Sequence, residues 1–248
     1  MKILAQGCRV IGPNDGESFT EGTRQYRSPI GQKHGSQYVA QSISAYSHGR
    51  SVARRNAESE EVLYTVSGNG KCYVDGFTYQ IETGTAVYIP PGTQYQIDNL
   101  NDTPIEIVSV CCPEESSVEI STTPVALISE PGPNLSVRES EREPIKTGDR
   151  TFRLLVDKDL GCQRVTQFMG VIPPGTSPHH YHTYEEAIFI LEGQGLVWCD
   201  GESCEFSAGT SIYLPIGQRH MLENTGDDNV RLLGVFYPSG SPATRYND

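Results

Sequence analysis

Positions 175–186 read Gly175-Thr-Ser-Pro-His179-His180-Tyr181-His182-Thr-Tyr184-Glu185-Glu186, answered downstream by Pro215-Ile-Gly217-Gln-Arg-His220. Imidazoles combined with a carboxylate make a donor set for a divalent transition metal. Side chains alternate faces along a strand, so His180 and His182 point one way while His179 and Tyr181 point the other. A glutamate follows after a turn and His220 follows a Pro/Gly turn, so a folded-back sheet can carry all four donors to one point. Four protein ligands leave one or two positions open on Fe, Mn, Ni or Cu, whereas Zn is more often saturated by four. An open position admits water, O2 or a substrate oxygen, and the ion then acts as a Lewis acid or activates O2.

Short β-branched and aromatic runs must position these residues. They fall at 62–66, 86–89 and 105–110, and again at 187–191, 211–214 and 230–236, punctuated by Gly, Pro, Asn and Asp. Sustained helical periodicity is absent, so the chain is expected to be all-β with only short helices. Residues 114–143 are rich in Ser, Pro and Glu and read as an ordered surface linker, with 123–128 expected as a strand packing on a neighbour.

The second half repeats the first. A shift of 125 residues lays Glu60-Glu61 on Glu185-Glu186, Gly68 and Gly70 on Gly193 and Gly195, Pro90 and Gly92 on Pro215 and Gly217, and Pro113 on Pro238. Upstream, Gly22-Thr-Arg24-Gln-Tyr26-Arg27 recurs one residue out of phase as Gly148-Asp-Arg150-Thr-Phe152-Arg153. This is a two-fold duplication.

The spacing G-x4-HxH-x3-E-x6-G over 175–193, followed by PxGxxH over 215–220, resembles the two signature motifs of the cupin superfamily. With the duplication, the chain resembles a bicupin. That resemblance implies two tandem cupin (double-stranded β-helix, jelly-roll) barrels, with the metal near the middle of one. It selects Glu186 over Glu185 by the distance to Gly193, giving the ligand set His180, His182, Glu186 and His220. The expected boundaries are an N-terminal barrel over 1–120, a linker and crossing strand over 121–147, and a C-terminal barrel over 148–248.

Carrying the ligands back by 125 puts Arg55 at the place of His180, Ala57 at that of His182 and Tyr95 at that of His220, and only Glu61 survives. One metal per chain is therefore expected, in the C-terminal barrel, and Arg55 either lies near Glu61 to offset its buried charge or is simply solvated at a barrel rim. Around the metal, either Gln167 and Met169 or the alternate set Thr166 and Phe168 line the cavity, and Gln218 and Leu222 share the face of His220. Glu186, Tyr184 and Gln167 are the candidate catalytic residues. Glu185 is expected in solvent, and His179 at a surface or interface.

Cupins with this ligand set include dioxygenases, non-oxidative isomerases, lyases, cyclases, decarboxylases and hydrolases, and proteins that only bind small ligands. The resemblance implies a metal-dependent enzyme acting on a small oxygen-rich substrate, leaning to a dioxygenase, with non-oxidative chemistry second and ligand binding third. A formal net charge of −12 and a pI near 4.9 argue against nucleic acid. No run approaches the roughly 20 apolar residues of a membrane span. The seven cysteines form no CxxC pair and Met1-Lys-Ile-Leu-Ala is too short for an export signal, so reduced thiols in the cytoplasm are expected, while the resemblance to bicupins, whose flat sheets often pair, implies a homodimer.

Overall fold

The structure, a computed structural model, describes residues 1–114, 117–175 and 180–243. Among them helix is confined to four single turns, and the rest of the ordered backbone is strand. The all-β expectation holds, and the strands form two barrels of matching topology.

One large sheet runs in the order Ser136–Arg138, Thr85–Ile89, Glu60–Ser67, Ile105–Cys112, Ala40–Tyr46, Arg24–Ile30 and Phe19–Glu21. Its counterpart runs Arg9–Ile11, Ser211–Leu214, Glu185–Glu192, Val230–Tyr237, Thr166–Ile172, Arg150–Val156 and Ile145–Thr147, with Lys2–Ile3 beyond Arg9–Ile11. A smaller sheet closes each barrel. In the second it consists of Glu202–Ser207, Gln194–Cys199 and His220–Asn224.

Strand alternation gives each large sheet two buried faces. In Glu185–Glu192, Ile188 and Ile190 point into the second barrel with Phe168, Val197, Leu222 and Leu232. Ala187 and Phe189 point the other way and join Met169, Tyr213, Leu233 and Val235 in an apolar layer continuous with Val62, Tyr64, Tyr88 and Val110 of the first barrel. The two large sheets thus share a dry interface, and the strands read as apolar runs because both faces are covered.

The edge strands are exchanged. Arg9–Ile11 pairs with Ser211–Leu214 and places Leu4, Cys8 and Val10 in the second barrel's core. Ser136–Arg138 pairs with Thr85–Ile89 of the first barrel. The crossing strand therefore lies at 136–138. Residues 123–128, expected as a strand, are coil tied down by Val125 N–H donating to Gln96 Oε1 at 2.8 Å and Ile128 N–H donating to the Gly76 carbonyl at 2.9 Å. Leu127 and Ile128 stay 53 and 37% exposed, so the apolar side chains of that stretch find no sheet face to pack against.

All seven cysteines are free. Burial pushes the Cys112 thiol up to about 12 and Cys72 higher still, so both stay protonated and act as small apolar filler.

Candidate metal centre

His180 and His220 exchange backbone hydrogen bonds at 3.0 and 2.8 Å, and Gly217 N–H closes on the His182 carbonyl at 2.8 Å. These bonds pin the His180–His182 segment against the edge of His220–Asn224, so alternation turns both imidazoles inward. His180, His182 and His220 are 6, 7 and 3% exposed, and one donor atom from each lies within 4.8 Å of the others. The ring centroids are 4.6 to 5.1 Å apart.

The second shell fixes the chemistry. His220 Nδ1 lies 2.8 Å from the Gln218 carbonyl. A carbonyl only accepts, so Nδ1 carries the proton and Nε2 keeps its lone pair for a ligand. The His182 ring stacks on Tyr184 at 4.3 Å and 10°, and Tyr184 stacks in turn on Phe236 at 4.1 Å.

Glu186 lines the same cavity, and the strand opposite it carries Gly234. A Cβ at Gly234 would stand 2.9 Å from Glu186 Oε1 and 2.3 Å from Phe168, so the bare backbone is what admits that carboxylate and ring. The residues fit a divalent transition ion: three imidazoles converge, one in the tautomer that exposes Nε2, and a carboxylate shares their cavity among apolar walls.

Of the candidate lining residues, the structure brings Phe168 of the alternate set to the cavity, while its companion Thr166 does not line it and donates through Oγ1 to the Gly240 carbonyl at 3.1 Å. Phe168, Gly170 and Ile172 line the cavity and Gln167 does not. Gln167 is fully buried on the opposite face, in the layer between barrels, so its assignment as a catalytic residue is corrected. Tyr184 and Leu222 do line the cavity. The Gln218 side chain turns instead to Asp200, at 3.2 Å. His179 lies outside the described residues.

Glu185 is also corrected. It is 1% exposed, because the other barrel supplies the donors that make its burial tolerable.

Arg150 was not singled out as a site residue. Its guanidinium lines the cavity and donates through Nη2 to the Leu222 carbonyl at 2.6 Å. The available signal was its repeat partner: Arg24 occupies the same place in the first barrel and is 3% exposed.

The first barrel shows what replaces the ligands. Tyr95, the counterpart of His220, pairs with Arg54 rather than Arg55. Gly92 N–H donates to the Asn56 carbonyl at 2.7 Å, as Gly217 does to His182. Arg54 and Asn56 therefore stand where His180 and His182 stand; of the two readings of Arg55 the solvated one holds, and the inward position is one residue earlier. Arg55 lies 46% exposed against Glu119. Arg54 is the inward residue, 2.6 Å from Glu21. Burial opposes its charge, but Tyr95, Glu61, Tyr46 and Glu21 outweigh that and push its pKa up. Asn56 Nδ2 donates to Glu61 at 2.8 Å.

Comparison with known proteins identifies the class. The cupin domain family matches at residues 44–111 and 168–236, more than half of the sequence and once in each barrel, so the chain belongs to the cupin family. An uncharacterised protein of Methanocaldococcus jannaschii is 37% identical over 70 residues, 27% of this chain, and the chain spans only 56% of that relative's length. The oxalate-binding protein of Thermotoga maritima is 29% identical over 114 residues, 42% of this chain and 94% of that protein. Among solved structures, Bacillus subtilis oxalate decarboxylase is similar with a TM-score of 0.75 at 16% identity, covering 94% of this chain and 77% of that one. That enzyme is described with Mn(II) centres. At this identity the likeness speaks for the bicupin fold.

Proposed function

We propose that the chain is a metal-dependent cupin enzyme for a small, oxygen-rich, anionic substrate, with His180, His182, Glu186 and His220 holding one divalent transition ion in the second barrel. The convergence of three buried imidazoles on a cavity that also holds a glutamate and an arginine carries this reading. A bound ion would supply Lewis-acid polarisation of a substrate oxygen.

The chain's own residues do the rest. Arg150, fixed by the Leu222 carbonyl, presents a guanidinium suited to a carboxylate. In the first barrel the hydroxyls of Ser42 and Ser44 engage Arg24 at 2.7 and 2.9 Å. The repeat replaces them by Phe168 and Gly170, neither of which has a side-chain acceptor, and Arg150 lines the cavity. Phe168, Ile188, Leu222 and Leu232 form its apolar wall. Tyr184 holds the plane of His182.

The cavity measures about 70 Å³, room for a handful of heavy atoms rather than a flavonol-sized molecule. That volume and the oxalate-binding relative favour a short carboxylate as substrate, and Lewis-acid polarisation of a bound carboxylate makes non-oxidative chemistry the first reading. Oxidative cleavage, the leaning from sequence, is the second reading, supported by the open coordination positions that four ligands leave. We also propose a homodimer in the cytoplasm; the seven free thiols support a reducing compartment, and sedimentation velocity measures the dimer.

The test begins with metal content of the wild-type protein and of His182→Ala. Near one equivalent in the first and none in the second supports the site. Oxalate and short 2-oxo and 2-hydroxy acids are then supplied while O2 uptake and CO2 release are followed. Product without O2 uptake supports non-oxidative chemistry, and stoichiometric uptake supports the dioxygenase. Full metal loading with no turnover of any of them leaves a binding protein and overturns the enzyme reading.

A further inference from the structure

The first barrel holds no histidine cluster among the described residues, yet it reaches the strand of the second that carries Glu186. Loop residues 36–39 of the first half close on the carboxylate of Glu185. The N–H groups of Tyr38 and Val39 donate to Oε1 at 3.1 and 3.0 Å, and Gln37 N–H donates to Oε2 at 2.9 Å. The hydroxyls of Ser36 and Tyr213 stand 2.6 and 3.2 Å from the same carboxylate.

The arrangement is reciprocal. Glu60, the repeat partner of Glu185, accepts from Gln163 and Arg164 N–H at 3.0 and 2.7 Å, from the Cys162 thiol at 3.3 Å and from Tyr88 at 3.0 Å. Each barrel thus buries one carboxylate in a loop of the other. A carboxylate that accepts several backbone N–H groups has little freedom to move, because any shift strands a buried donor.

The two clasps differ in what lies next to them. Beyond Glu185, on the opposite face of the same strand, is Glu186 in the metal cavity. Beyond Glu60 is Glu61, which meets Asn56. We infer that Glu185 is a positioning residue for the metal centre: the loop at 36–39 fixes the start of the strand Glu185–Glu192, and so the place of the Glu186 carboxylate. The first barrel then has a role in metal binding without contributing a ligand. This rests on the proposed ligand set.

The pseudo-symmetry supplies its own control. Glu185→Gln and Glu60→Gln each replace one carboxylate oxygen by an amide N–H facing backbone donors, so both lower the unfolding midpoint by similar amounts. Affinity is read by competition with a chelator for Mn2+, and ligand geometry by the visible spectrum of the Co2+ form. Glu185→Gln is expected to weaken Mn2+ binding about tenfold or more and to shift the Co2+ bands, the size typical of lost second-shell partners. Glu60→Gln is expected to change neither. Should Glu185→Gln fail to fold, Ser36→Ala and its repeat control Cys162→Ala give the same comparison at a single donor. Equal effects of the two variants on affinity, or none from either, overturn the positioning role and leave the metal site standing. A wild-type protein that binds no Mn2+ or Co2+ overturns the ligand set and the positioning role with it.

Discussion

Where the second barrel gathers His180, His182 and His220, the first gathers Arg54, Asn56 and Tyr95 around Glu61, with Arg24 nearby. Glu61 is 2% exposed, so its charge is tolerable only beside the guanidinium and the Asn56 amide. Arg54→Met should cost about 3–5 kcal/mol, the size expected when one member of a buried ion pair is removed. Adding Glu61→Leu should return only part of it: the buried charge that Arg54 offsets through space is gone, but Glu21, the carboxylate 2.6 Å from Arg54, keeps only the more distant Arg24 at 3.7 Å. Urea denaturation of the two variants checks this, and Mn2+ affinity of the second barrel should stay unchanged in both. At this scale the histidine cluster was legible because alternation puts His180 and His182 on one face. Arg54 was not, because the 125-residue register was carried upstream past a one-residue change of phase. The cue was present in Arg24 and Arg150, which already stand 126 apart. The burial of Glu185 was illegible for another reason: its partners lie about 150 residues away in the chain.

At the scale of strands, the layer between the barrels contains a defect that the duplication explains. Ser211 Oγ donates to Gln41 Oε1 at 2.6 Å. By pseudo-symmetry Gln167 should meet the repeat partner of Ser211, but that residue is Ala86, and both amide atoms of Gln167 are buried without a hydrogen-bond partner among the described residues. Ala86→Ser should restore the missing bond and raise stability by about 1 kcal/mol, the net worth of an intramolecular hydrogen bond. Gln167→Met should also stabilise, by removing the amide. The gain from Ala86→Ser should vanish in the Gln167→Met background, which a double-mutant cycle in urea reads directly. Strand positions were legible because the apolar runs are short and bounded by turn residues. Which face of Thr166–Ile172 looks into the cavity was not, since both faces are buried and period-2 patterning is lost when a sheet is covered on both sides.

For the whole molecule, the repeat predicts two units, but the pairing ties them more closely than a linker would. The barrels exchange edge strands, exchange carboxylate clasps and share one apolar layer. The placement of residues 1–11 on the second barrel had no local signal, because it is decided by a free edge of Ser211–Leu214 some 200 residues later. We therefore place the cooperative unit at the full chain rather than at residues 1–120 or 148–248. Removing residues 1–11 would take Leu4 and Val10 out of the second core, each worth about 1.5–3 kcal/mol of burial, and would leave Ser211–Leu214 as an open edge. The loss should be about 5 kcal/mol, comparable with the total stability of many domains. A fragment of residues 148–248 loses that strand, the loop that holds Glu185 and the partner of its apolar face together. It should aggregate or remain unfolded by circular dichroism and size-exclusion chromatography, with no tight Mn2+ binding. A monomeric fragment that unfolds cooperatively and binds Mn2+ as tightly as the full chain would show instead that the second barrel is autonomous and that the first contributes nothing to its site.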